Sequence, residues 1–185
     1  MTYFLLLPCW LAMEILGKTL WPILPIFAVN RYGPVDNNNG TAVEPRLPTW
    51  LAWFDTPDNS LWGDTGWRTI HCPDNWNTYK GMALWLLRNS SVGFSRTVLA
   101  RTVHQEDIKW SGNPHIQADQ NITGVFKAND GKGTWQYKRV FPLFGKYIGL
   151  NFGWNIDPMV KSGIAVDSCH HKVAVKIKDA IALQA

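Results

Sequence analysis

A chain of 185 residues, 46% of them hydrophobic, with a net charge of +4 has the apolar content of one ordinary core plus an extra segment, which excludes a disordered polymer and two full domains. Three widely spaced cysteines, Cys9, Cys72 and Cys169, exclude a disulfide framework. Charge is uneven: residues 1–29 balance one Glu with one Lys, 30–77 hold three Arg against six acids (−3), and 78–185 hold fourteen Lys/Arg against seven acids (+7). The basic residues of the last part are scattered among acids, which reads as a solvated surface and disfavours nucleic acid as a partner.

Residues 4–29 form the first element. A membrane span needs roughly 20 mostly apolar residues, and this stretch, with Phe4, Leu5, Leu6, Trp10, Leu11 and Trp21, is long enough. Two charges interrupt it, Glu14 and Lys18, four apart with Glu first, the order in which a helix lets the side chains meet. Paired, they cost less in lipid than either alone, and another membrane protein is a partner that could face them. Pro22 and Pro25 predict a break near residue 21, since each removes a backbone donor. A cleaved signal peptide and a buried helix of a soluble domain are the competing readings, though no basic residue precedes the apolar run. No Lys or Arg precedes the segment while Arg31 and Arg46 follow it, which places the rest of the chain on the cytoplasmic side.

Residues 30–49, rich in Gly, Pro and Asn, read as an irregular linker. Trp50, Leu51, Trp53 and Phe54 then form a short apolar turn suited to a headgroup boundary, in a chain whose first 85 residues hold eight of its eleven tryptophans. From Asn77 to Arg88 the helical period returns, with Met82, Trp85 and Leu86 on one face and Asn75 or Asn77 as the cap.

The run Trp53-Phe54-Asp55-Thr56-Pro57-Asp58-Asn59-Ser60-Leu61-Trp62-Gly63-Asp64-Thr65-Gly66-Trp67, followed by Trp85-Leu86-Leu87-Arg88-Asn89 and Gly93-Phe94, resembles a family of small tailed-bacteriophage proteins of unassigned function. The resemblance covers about residues 1–155. It implies a chain that opens on an apolar segment, and it brings no catalytic residues with it. At Ser90-Ser91-Val92 the sequence departs from the pattern, where the family has Pro, a small residue and Tyr, and the last 30 residues lie outside it.

Asp55, Asp58 and Asp64, between Trp53 and Trp67, are the densest set of oxygen ligands and the candidate binding loop. Their spacing is not that of an EF-hand, and Asp, Asn and Pro57 there read first as turn formers. His71-Cys72 and Cys169-His170-His171 lack zinc spacing, and neighbours on a strand point to opposite faces. Asn129-Asp130-Gly131-Lys132-Gly133 lacks P-loop spacing and reads as a hairpin turn. No metal, cofactor or catalytic residue is assigned, so enzymatic activity is left open and is not the favoured reading.

Beyond Ile122 the period changes to two. Strands are expected at 122–128, 134–144 and 146–154, and Val173, Val175 and Ile177 alternate in one more. In 146–154, Ile148, Leu150, Phe152 and Trp154 share one face and Tyr147, Gly149, Asn151 and Gly153 the other, which the glycines leave flat for a neighbouring helix or ligand. The expected class is α+β: an N-terminal membrane helix (1–29), a linker (30–49), and a small domain (50–185) of one or two helices and three or four antiparallel strands. The favoured function is a membrane-anchored phage accessory protein in the host inner membrane. It would bind the lipid bilayer and act by non-enzymatic contacts with envelope or phage proteins. An envelope-active enzyme or carbohydrate-binding protein using the 50–67 loop is the alternative. Nucleic-acid binding by the basic half is a third reading and would show a steep salt dependence.

Overall fold

A computed structural model describes residues 2–34, 41–118, 121–158 and 165–179. The chain is α+β, and it divides into two compact units. An N-terminal unit spans Leu6–Val98, and a C-terminal unit combines Met1–Leu5 with Leu99–Ala185.

The first helix, α1, runs Thr2–Leu20. It ends where the prolines dictate: the Trp21 amide makes a last bond to the Gly17 carbonyl at 2.9 Å, and a 3-10 turn follows at Leu24–Phe27. The Pro22 carbonyl takes the Tyr79 hydroxyl. Residues 30–49 are not irregular as expected. Strands β1 (Val29–Pro34) and β2 (Thr41–Arg46) pair antiparallel from Val29↔Arg46 to Pro34↔Thr41, and residues 35–40 lie outside the described residues. The prolines that suggested a loop are tolerated because in a two-stranded ribbon each strand has a free edge for a residue without an N–H.

A 3-10 turn at Thr49–Phe54 buries Leu51 and Phe54, and a single π-helical turn follows at Trp67–His71. Helix α2 is Tyr79–Arg88; its cap is Thr78, whose hydroxyl accepts from the Gly81 amide, rather than the expected Asn75 or Asn77. A further short helix, α3 (Val92–Thr97), completes the unit. Its core gathers Leu61, Trp67, Trp85 and Leu86.

In the C-terminal unit, strands β4 (Lys109–Gly112), β5 (Gly124–Asn129), β6 (Trp135–Leu143), β7 (Lys146–Trp154) and β9 (His171–Asp179) form an antiparallel sheet in the order β4-β5-β6-β7-β9. The final strand therefore joins the sheet, beside β7. Strand β3 (Arg101–His104) pairs separately with β8 (Ala165–Cys169). The expected turn at 129–133 is present: Asp130 Oδ1 accepts the Lys132 and Thr134 amides at 2.8 and 2.9 Å.

In β7 the sheet covers the glycine-bearing face rather than that of Ile148 and Leu150, whereas β5 and β6 bury apolar residues on the same side. Phe126, Ala128, Val140, Gly149 and Asn151 are covered, and Gln136 joins this side with bonds to Asn151, Asn155 and the Ile156 amide. Gly149 explains the choice: a Cβ there would collide with the Ala118 backbone, so the flat strand admits a crossing chain. On the other face the rows toward the β6–β7 turn stay open or half-open, Ile177–Ile148–Phe141 and Val175–Leu150–Arg139–Val125, while Trp154 and His171 at the far end are buried.

Candidate functional site

Helix α1 has two unlike faces. Tyr3, Met13 and Gly17 are buried, and Leu6, Trp10, Glu14 and Leu20 are half-buried between them, the i, i+3, i+4 stripe of a docked helix. Phe4, Leu5, Leu11, Ile15 and Leu16 face outward, at 44% exposure or more. The outward Thr19 hydroxyl returns its proton to the Ile15 carbonyl at 2.8 Å, so it makes no demand on its surroundings.

The charges inside the segment are disposed of locally. Lys18 Nζ lies 2.9 Å from Glu14 Oε1, as the spacing predicts, and the Ser91 hydroxyl donates to Glu14 Oε2 at 2.6 Å. A Cβ on Gly17 would strike Ser90, so the helix backbone approaches the corner between α2 and α3 closely. The Ser90-Ser91 pair is therefore the seat of α1. The helix's first turn is held in the C-terminal unit. Tyr3 donates to the Lys172 carbonyl at 3.0 Å, stacks on His171 at 4.5 Å and meets Trp154 edge-on at 5.5 Å.

Further apolar side chains are exposed in the N-terminal unit. Ile23, Ile26 and Phe27 follow α1, Phe27 meets Trp50 edge-to-face at 5.5 Å, and Trp50 and Trp53 are 68% and 52% exposed. Ile26 and Phe27 lie in the apolar run that continues past Pro25, inside the expected 1–29 segment. Trp21 is half-buried at the helix end.

The acidic loop is not gathered into one site. Asp55 is buried, and its carboxylate accepts the Leu47 amide at 3.1 Å and the Thr56 amide at 2.8 Å. Burial raises its pKa to about 6 against those bonds and the charges of Arg46 and Arg31. Asp58 pairs with Arg96 at 2.8 Å, and Asp64 accepts the Trp67 amide at 2.7 Å. Asp55 and Asp64 thus each hold a turn and Asp58 pairs with Arg96, and no group of three or more His, Cys, Asp or Glu among the described residues is placed to hold a metal ion.

The tryptophans here divide by role. Trp53 lies edge-on to Phe94 at 5.5 Å. Trp67 packs on Trp85 at 5.6 Å, Trp62 on Trp76 at 5.5 Å, and Arg88 and Arg68 cover these rings. Trp85 Nε1 donates to the Thr56 hydroxyl at 3.2 Å, which ties the loop to α2. Trp67 is a core residue, not a platform. Cys72 and Cys169 are buried in separate units, and Cys9 is exposed. Burial pushes the Cys169 thiol up to about 11, which keeps it protonated.

A profile described as a family of unknown function (DUF7338) matches residues 1–180, nearly the whole chain, and the protein belongs to that family. No curated protein and no solved structure matches the chain.

Proposed function

We propose that this member of the family is a membrane-anchored accessory protein, phage-encoded as its motif pair suggests, that acts by non-enzymatic contacts with envelope or phage proteins. The observation that carries the reading is the outward face of α1. The helix is long and apolar enough to cross a membrane, yet only 11% of its apolar window is buried, whereas a core helix of a soluble protein hides most of its surface. Lipid is the solvent that suits Phe4, Leu5, Leu11, Ile15 and Leu16 outside and the Glu14–Lys18 pair turned toward Ser91. Trp50, Trp53 and Phe27 supply aromatic rings of the kind enriched at headgroup level. Carbohydrate binding or catalysis by the 50–67 loop has less support, because Asp55, Asp58 and Asp64 are each committed to a turn or to Arg96.

The test is carbonate-washed fractionation of the full-length chain beside a Leu11→Asp/Ile15→Asp variant. Removing the helix altogether would also remove Tyr3, Met13 and Gly17 from their units, so substitutions on the outer face are the cleaner probe. The wild type is expected in the membrane pellet at full mass. The variant is expected in the supernatant with an unchanged circular dichroism spectrum. A soluble wild type, or one that has lost its N-terminus, refutes the anchor.

A further inference from the structure

We propose that the tip of the β6–β7 hairpin, with the open sheet row beside it, is a docking surface for an anionic lipid bilayer. This goes beyond anchoring by α1 and rests on the chain being held at a membrane.

Phe144 is 95% exposed at that tip, and it holds φ 49°, a left-handed conformation uncommon for a residue with a Cβ. The hairpin thus presents an aromatic ring away from any core. Leu143 beside it is also exposed, and the next apolar row inward, Ile177–Ile148–Phe141, is open or half-open. An apolar patch of this kind marks an interaction surface.

Charge selects the occupant. Every strand of the sheet carries Lys or Arg, and the only acid in the five strands is Asp179, which lies 2.8 Å from Lys146. Near the tip, strand alternation places Arg139 on the face of Ile177 and Phe141, with its guanidinium over the Phe141 ring at 5.1 Å. It places Lys176 and Lys178 on the opposite face. An apolar tip flanked by cations on both sides matches an acyl layer beneath anionic headgroups.

The test mixes the full-length chain with vesicles of phosphatidylcholine alone or with added phosphatidylglycerol. It reads flotation together with amide exchange of the 141–148 segment. Exchange at the tip is expected to slow several-fold on anionic vesicles only, and the slowing is expected to disappear in high salt. Phe144→Ser and Lys178→Glu change exposed side chains, so each should keep its melting temperature and lose the slowing. Flotation with both vesicle types without slowing at the tip overturns the docking surface and leaves the anchor standing. Flotation with anionic vesicles alone, with a slowed tip, supports the surface and overturns the anchor. No flotation overturns both. Slowing that follows protein concentration without lipid assigns the tip to a second copy and overturns the proposal.

Discussion

His171 makes the pH response of the C-terminal unit calculable. Its ring is 1% exposed, stacked on Tyr3 at 4.5 Å and edge-on to Trp154 at 5.9 Å, with Arg101 over the same indole at 4.7 Å. Burial lowers its pKa from 6.5 to about 4, against the opposing effect of a hydrogen bond with the Tyr3 backbone. A depressed histidine pKa means that the fold prefers the neutral ring. Its contribution is complete above pH 6.5 and is lost as pH falls toward 4. At about 1.4 kcal/mol per unit, that loss is about 3 kcal/mol. Asp55 in the N-terminal unit has the opposite sign. Its raised pKa, about 6, means that the fold prefers the protonated acid, so its contribution is present below pH 3.8 and is lost as pH rises through 6. That change is also about 3 kcal/mol. Whole-chain unfolding would blur the two, so the assay must be a difference. Denaturant unfolding of wild type and His171→Phe, which keeps an aromatic ring on Tyr3, is measured from pH 7 to pH 4. The stability gap between them is expected to move by about 3 kcal/mol against the wild type as the pH falls. Parallel profiles would refute the assignment, and a gap that moved the other way would reverse its sign.

Two smaller perturbations test the packing. Gly149→Ala puts a methyl into the Ala118 backbone and is expected to cost about 1–3 kcal/mol in the C-terminal unit, read as a lowered denaturation midpoint. Thr78→Ala removes the α2 cap that accepts from the Gly81 amide at 3.2 Å; it is expected to cost about 1 kcal/mol, with faster exchange in the first turn of that helix.

What could be read from the sequence was local. The end of α1 follows from two prolines, the Glu14–Lys18 pair from a four-residue spacing, and β7 from strict alternation between Lys146 and Trp154. Partnership between distant segments was not legible. Val29–Pro34 and Thr41–Arg46 carry Gly and Pro and no long alternation, so each reads as loop until the other is beside it. The short β3 and β8 are set by a pairing more than sixty residues apart in the chain and carry no period of their own. The three loop aspartates looked like one cluster because they are close in sequence. Their carboxylates instead take nearby backbone amides or Arg96.

The deepest difference concerns which side of β7 is core. Alternation gives two sets of residues but not the side another segment covers, and the usual rule puts the apolar set inside. Here the crossing of residues 116–118 needs a strand without side-chain bulk, and Gly149 supplies it on the polar side. Gln136 and Asn151 can be buried there because they satisfy one another and the Ile156 amide. Ile148, Leu150, Val175 and Ile177 are left outward as a consequence.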